Sequence, residues 1–276
     1  MGEHVERLDV IGNISRDLTR YPDHRGGARL GGAALFVSLA ATKAGRRATP
    51  VCVLGDDLAH LPGAPGLDAL DWSARLQAEG TSTTFDLEYD LQGELVEART
   101  DYGVAEALTE HALGHVSTYP HATFHVCCRR PLDVEAVLGR LAETTAQFSV
   151  DFFLPSAEAM IHAAAPWLPA ATTLFVNAAE YRLLDQAVDC DTLSEVVVTD
   201  GPRAAVVRAF GRQVASAVPP PHPAHEVSGA GDTLAGTYLA HRSRGTTTAR
   251  ALAEATAAAA RYVAVPSLPI PAPRHG

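Results

Sequence analysis

No apolar run in this sequence is long enough to span a bilayer, which removes a transmembrane helix from consideration. Met1–Asp9 is charged and lacks the apolar core of a secretory signal. Cysteine is scarce. Cys52, Cys127, Cys128 and Cys190 match no zinc or redox spacing, and the adjacent Cys127 and Cys128 make a poor disulfide pair. They read as reduced, mostly buried small hydrophobes, which points to a cytoplasmic protein. Basic residues are in deficit, 22 against 32 acidic ones, for a formal charge of -10. That sign repels nucleic acid and anionic membranes, so neither is expected as a partner. Arg129–Arg130 is the best basic pair and reads as a surface feature. Histidine is not scarce, but no His-Glu-x-x-His helix is present, and Tyr119–Pro120 interrupts the series His111, His115, His121, His125, so a metal site there is disfavoured. The chain also lacks a Gly-Lys-Ser/Thr P-loop ending and an early Gly-x-Gly-x-x-Gly, which argues against a dinucleotide oxidoreductase.

What is present suits one large α/β domain. The chain has 276 residues, 47% of them hydrophobic, enough for a substantial core. Leu8–Gly12 and Thr49–Leu54 read as strands around a helix over Leu30–Gly45, with Gly45 as a natural stop, and this order favours parallel strands. Leu67–Gly80 reads as a second helix. Thr83–Tyr89 and Glu94–Arg99 read as a hairpin turning near Gly93. Phe124–Cys128, Phe148–Phe153, Thr173–Asn177 and Glu195–Thr199 read as further strands, with a helix over Val134–Thr145 and another beginning at Glu180. Ala204–Phe210 pairs with Arg212–Val218 around Gly211. Gly229–Arg242 and Thr247–Val263 close the chain as helices. Asn13–Arg29 is polar and turn-rich.

The most informative stretch is Glu226–Thr233. Gly229 and Gly231 let backbone N–H groups turn towards one point, and the following helix favours an anion there. Asp232, on the first turn, is placed to accept the proton of an attacking hydroxyl. The plain reading is a capped helix start. Asn177–Ala178–Ala179–Glu180 offers oxygens suited to hydrated Mg²⁺, and equally matches a helix capping box. Asp17, after the first strand, is a candidate for substrate hydroxyls, although an isolated loop aspartate is usually a turn or cap.

Taken in order, these segments resemble the ribokinase-like, or PfkB, carbohydrate kinase family over nearly the whole chain. The late stretch resembles the family's Asp-Thr-x-Gly-Ala-Gly-Asp signature, with Glu226 in place of the first Asp. The resemblance implies that Asp232 is the catalytic base, that Gly229, Ala230 and Gly231 form the anion hole, and that Ser228 lies beside the nucleotide. Asn177 and Glu180 match the motif that organises Mg²⁺ and phosphate. Thr199 and Gly201 match an element beside the nucleotide, and Thr256 falls near the position that contacts adenine. Gly12 and Asp17 match the strand-end glycine and sugar-binding aspartate, and Gly31–Gly32 the diglycine beneath the substrate. Phe36 stands where many sugar kinases have Asn, so it faces a ring or less polar group and argues against an ordinary ribokinase or fructokinase.

The resemblance further implies a three-layer α/β/α sandwich in a single domain, 1–276. It adds a small β-hairpin lid formed mainly by 81–99 with a contribution from about 13–29. The expected activity is transfer of the ATP γ-phosphate to a hydroxyl of a sugar, an inositol-like cyclitol or a nucleoside, with Mg²⁺. A monovalent cation such as K⁺ beside the anion loop also fits, with no ligands assigned. Lids of relatives often form dimer contacts, which extends the expectation to a homodimer. The alternative is a non-catalytic ligand-binding relative; Phe36 and Glu226 motivate it, and Asp232 argues against it.

Overall fold

The protein is described from a computed structural model over residues 7–23, 26–92, 94–223, 227–265 and 268–272. The turn expected at Gly93 and the Glu226 of the late motif lie outside these residues. Stretches that are apolar at successive positions form the inner strands, because a strand covered by helices on both faces has no solvent side to alternate towards. β1 (Leu8–Ile11) and β4 (Ala48–Leu54) are buried throughout. They join β5 (Arg75–Gln77), β8 (Thr123–Cys128), β9 (Gln147–Phe152), β10 (Thr173–Asn177), β11 (Val196–Thr199), β12 (Ala205–Ala209) and β13 (Arg212–Ala217). The sheet order is β13-β12-β11-β10-β9-β8-β1-β4-β5. The pairings from β5 to β11 are parallel. β12 and β13 add an antiparallel end.

Helices cover both faces. One apolar cluster draws on α1 (Ala33–Lys43), α6 (Ala230–Ser243) and α7 (Thr248–Val263). The other draws on α2 (Leu108–Thr118), α3 (Val134–Ala142), α4 (Ala157–Ala164) and α5 (Ala178–Ala187). The result is the three-layer sandwich of the ribokinase-like fold. No helix among the described residues is long and apolar enough to cross a membrane.

Three expectations need correction. Residues 67–80 are not a helix: turns lead to a short 3-10 segment, Trp72–Ala74, and then to β5. Leu67, Leu70 and Ala74 do enter the core. They do so from turns held by the Trp72 indole, which donates to the Leu67 carbonyl at 2.9 Å, and by the Asp71 N–H, which donates to the Ala48 carbonyl at 3.2 Å. Second, residues 13–31 contain two strands, β2 (Ser15–Arg20) and β3 (Gly26–Gly31), so Leu30 and Gly31 end a strand rather than open the helix. With β6 (Thr83–Tyr89) and β7 (Leu95–Asp101) they form a separate four-stranded sheet in the order β3-β2-β6-β7. The expected hairpin is half of that sheet. Third, α2 and α4 were not foreseen.

β2 alternates strictly. Ser15, Asp17 and Thr19 are buried, while Arg16, Leu18 and Arg20 are exposed. Its inner face therefore looks onto the main domain. Tyr21, Leu87 and Tyr89 form a small apolar cluster of their own beneath this sheet, with Phe85, Phe153 and Val227 packed against it.

Candidate active site

The topology locates the site. From β1 the chain builds outward through β4 to β5, then returns to the other side of β1 for β8 and continues to β11. The connections diverge between β1 and β8, and in parallel sheets a crevice opens beyond the carboxyl ends of strands at such a point. Asn13 follows β1 and Arg129 follows β8. The Asn13 carboxamide donates to the Arg130 carbonyl at 3.3 Å, tying the two strand ends together. A narrow cavity of about 40 Å³ sits there. Asp17, Gly32, Phe36, Ser228 and Asp232 line it, so residues far apart in sequence do converge.

α6 carries the chemistry at one end. Gly229 precedes it with φ +87, a conformation that favours glycine. A Cβ there would lie 2.7 Å from the Phe36 ring and 2.8 Å from the Tyr262 hydroxyl. The Ala230 N–H donates to the Val227 carbonyl at 3.2 Å and is engaged in the turn. The N–H groups of Gly231 and Asp232 have no acceptor among the described residues, so these two amides, at the positive end of a helix dipole, are open to an anion. The Asp232 carboxylate stands beside them.

Arg129 corrects the expectation of a surface pair. Its side chain is only 13% exposed, and Nη2 lies 2.6 Å from Asp151 Oδ2 and 3.5 Å from Asp232 Oδ1. Arg130 is exposed, as expected. Burial alone would lower the Arg129 pKa, but the Asp151 and Asp232 carboxylates outweigh it and hold the guanidinium firmly charged. Burial pushes the Asp151 carboxyl up, against the pull of Arg129, and a hydrogen bond to Asp232 adds to the rise. Asp151 Oδ1 is buried without a hydrogen-bond partner among the described residues.

Glu180 lies in the same field. Burial raises its carboxyl to about 7, opposed by the Asn177 N–H and by Arg129, with Asp232 pushing upward again. Locally, Asn177 and Glu180 form the capping box: the Asn177 Oδ1 accepts from the N–H groups of Ala179 and Glu180 at 2.9 Å, and Glu180 Oε2 accepts from the Asn177 N–H at 2.8 Å. Three carboxyl groups thus share the field of one guanidinium, an oxygen-rich set in which the raised Asp151 and Glu180 would be held ionised by a hard divalent cation.

Asp17 faces this group from β2. Ser15 Oγ donates to Asp17 Oδ1 at 2.6 Å. Burial raises its carboxyl to about 6, with Ser15 and Arg29 opposing and Asp232 reinforcing the rise. The Gly31 backbone passes so close that a Cβ would overlap the carboxylate, at 2.0 Å from Oδ2. This is why glycine follows Leu30 at the end of β3.

The remaining wall is aromatic. Phe85 and Phe153 meet edge to face at 6.0 Å, and Phe36 and Tyr262 at 5.5 Å. Arg129 sits over the Phe153 ring, 5.5 Å from its centroid. Sequence reasoning missed Arg129, Asp151, Phe85, Phe153, Tyr89 and Tyr262. Arg129, Asp151 and Phe153 sit at or next to carboxyl ends of parallel strands, the one position rule that singles them out.

Some expected residues lie elsewhere. Thr199 is beside Asn177 in strand register, with its hydroxyl directed at the Val176 carbonyl, and Gly201 is on an exposed turn. Neither lines the cavity. Thr256 is buried in α7 and its hydroxyl donates to the Ala253 carbonyl at 3.0 Å, because a β-hydroxyl inside a helix finds its own preceding turn. The four histidines do not gather: His111 contacts the Ala74 carbonyl, His115 Asp9, His121 Thr145 and His125 Ser149. A larger, shallower groove beside α2 includes His111 and His115 but faces none of the carboxylate–arginine group.

Comparison of the sequence with curated proteins gives no significant match. Among solved structures, a nucleoside kinase from Burkholderia thailandensis in complex with ADP-inosine superposes with TM-score 0.75 at 19% identity, covering 95% of this chain and 90% of the other. The adenosine kinase from Sinorhizobium meliloti matches with TM-score 0.75 at 13% identity, covering 96% and 95%. Ribokinase from Cryptococcus neoformans var. grubii serotype A in complex with ADP matches with TM-score 0.72 at 17% identity, covering 95% of each chain. At these identities the likeness is one of fold. The family model for pfkB family carbohydrate kinases matches residues 5–274, and the chain therefore belongs to the pfkB family of carbohydrate kinases.

Proposed function

We propose that this protein transfers the γ-phosphate of ATP to a hydroxyl of a small alcohol, with Asp232 as general base. The observation that carries this is the placement of the Asp232 carboxylate beside the two open amides of Gly231 and Asp232, in one cavity with Asp17. In the step itself, the substrate O–H proton passes to Asp232 as its oxygen bonds to the γ-phosphorus. The bond between that phosphorus and the β,γ-bridging oxygen breaks, and ADP leaves with the electron pair. The open amides and Arg129 stabilise negative charge on the transferring group. Asp17 accepts hydrogen bonds from the acceptor's hydroxyls. Glu180 and Asp151, with Asn177 through water, would hold Mg²⁺, which neutralises phosphate charge when bound. The four-stranded sheet serves as the lid, excluding water from the reacting phosphate.

Of the three acceptor classes considered, a nucleoside fits best. Phe36, Phe85 and Phe153 offer ring faces and edges that a flat base uses and that a cyclitol or simple sugar does not. Proteins of the same fold named as nucleoside and adenosine kinases support the reading. Incubation of purified protein with ATP and Mg²⁺ against panels of nucleosides, sugars and cyclitols tests it. ADP and a phosphorylated nucleoside are the expected products. Turnover with sugars or cyclitols alone would reject the nucleoside assignment and keep the kinase, and ligand binding without ADP formation across all three panels would reject both.

A further inference from the structure

The turn that precedes α6 is held by phenols from two distant parts of the chain. The Tyr262 hydroxyl, from α7, donates to the Ser228 carbonyl at 2.8 Å. The Tyr89 hydroxyl, from the end of β6, shares a hydrogen bond with the Ser228 side chain. Tyr21, just after β2, stacks on Tyr89 with ring centroids 5.0 Å apart and planes 14° apart, and its oxygen receives the Val227 N–H at 3.5 Å. The Tyr262 ring also packs edge to face on Phe36, and both crowd the backbone of Gly229. Ser228 is therefore gripped at its carbonyl from the helical layer and at its hydroxyl from the four-stranded sheet. Rotation of the Ser228–Gly229 peptide would disturb the turn on which α6 starts, where the Ala230 N–H donates to the Val227 carbonyl and the Thr233 N–H to the Gly229 carbonyl. A carbonyl fixed by a rigid, buried phenol opposes that rotation.

We propose that Tyr262 and Tyr89 are positioning residues that fix the anion-binding turn, Tyr262 through the Ser228 carbonyl and Tyr89 through its hydroxyl. Neither touches the reacting atoms; both act through Ser228. Because Tyr89 belongs to the sheet that carries Asp17, the same bond links acceptor binding to the setting of the phosphate amides. The proposal rests on the kinase reading for its catalytic consequence, but the grip on the turn is observable without turnover.

The experiment compares Tyr262→Phe, Tyr89→Phe and the double variant in the full chain. Each keeps its ring and loses only the hydroxyl, so the packing against Phe36 and Tyr21 survives. Amide hydrogen exchange is measured across residues 227–233, alongside kcat and the KM of ATP and of the acceptor. Tyr262→Phe is expected to speed exchange of the Ala230 and Thr233 amides, whose hydrogen bonds close this turn, about 10-fold while exchange in β1 and β8 stays constant. It should lower kcat about 10-fold with both KM values within about twofold, the pattern of lost orientation rather than lost binding. Tyr89→Phe should show the same pattern to a smaller degree, and the double variant should fall short of the product of the singles, because both act on one residue. Unchanged exchange at Ala230 and Thr233 in both single variants overturns the proposal, as does a rise in exchange spread evenly over the fold. A wild-type protein that makes no ADP while Tyr262→Phe still loosens Ala230 and Thr233 would sink the kinase reading and leave the positioning role standing.

Discussion

The two ends of the cavity differ in kind. At the end that the kinase reading gives to the phosphate, Arg129 and Asp232 line the cavity, and Asp151 and Glu180 share their field: burial and neighbouring charge raise both of those carboxyls and hold Arg129 charged. At the acceptor end, one carboxylate, Asp17, stands among Phe36, Phe85 and Phe153. Buried charge is costly and tolerates little change in geometry, whereas ring contacts accept a range of shapes. On the proposed kinase reading, the reaction is fixed at one end and the choice of acceptor at the other. A chain can keep the first and vary the second.

Substitutions at the two ends should separate accordingly. The largest effect is expected from Asp232→Asn, which removes the base and leaves its shape: kcat should fall at least ~100-fold with the acceptor KM changed only a few-fold. Steady-state kinetics decide it, and near-normal kcat removes Asp232 from the role. Next comes Arg129→Gln. Losing the guanidinium leaves Asp151 and Asp232 facing each other without a cation, so kcat should drop about 30-fold. The fold should lose on the order of 2–4 kcal/mol in denaturant unfolding. A variant whose only defect is a raised acceptor KM would place Arg129 at the wrong end.

Asp17→Asn should be the mildest in kcat and should act on the acceptor, lowering its kcat/KM about 10-fold while the KM of ATP holds. It also makes a stability prediction with a definite sign. The unfolded carboxyl titrates near 4, whereas burial raises the folded one to about 6. The folded chain therefore binds this proton more tightly. The stabilisation it gives is complete below about pH 4 and is lost as the pH rises through about 6. Asp17→Asn, which carries no charge at any pH, should raise the melting temperature at pH 7.5 and change it little at pH 4. An increase confined to low pH would contradict the assignment. The wild-type acceptor kcat/KM should also decline below about pH 6, a limb the variant should lack.

The same contrast explains what could be read from sequence. The inner strands announced themselves because burial on both faces leaves unbroken apolar runs, and α6 did so because glycines and Asp232 mark its start. β2 was illegible as a strand for a physical reason. Its buried face meets the cavity at Asp17, and Ser15, Asp17 and Thr19 are polar on the inside as Arg16 and Arg20 are on the outside, so the usual alternation of hydrophobicity vanishes. Arg129 was misread because an arginine next to another arginine looks solvated. Its counter-charges, Asp151 and Asp232, come from later elements that only the folded sheet brings near. The spacing of Leu67, Leu70 and Ala74 suggested a helix, yet successive tight turns satisfy the same burial. The capping box at Asn177 was visible in the sequence, and its local geometry is the one observed.

β2 carries two independent scripts on six residues. Inward, Asp17 lines the cavity with Ser15 bonded to it, while Arg16, Leu18 and Arg20 face what surrounds the molecule. Arg20 pairs with Asp86 and Arg16 with Asp57, and Arg99 pairs with Glu97 nearby, so a second copy docking on this face would have to strip water from a charged lattice. Solubility and self-association can therefore be rewritten by editing alternate letters of one strand, with the intervening letters, and the chemistry they spell, left intact.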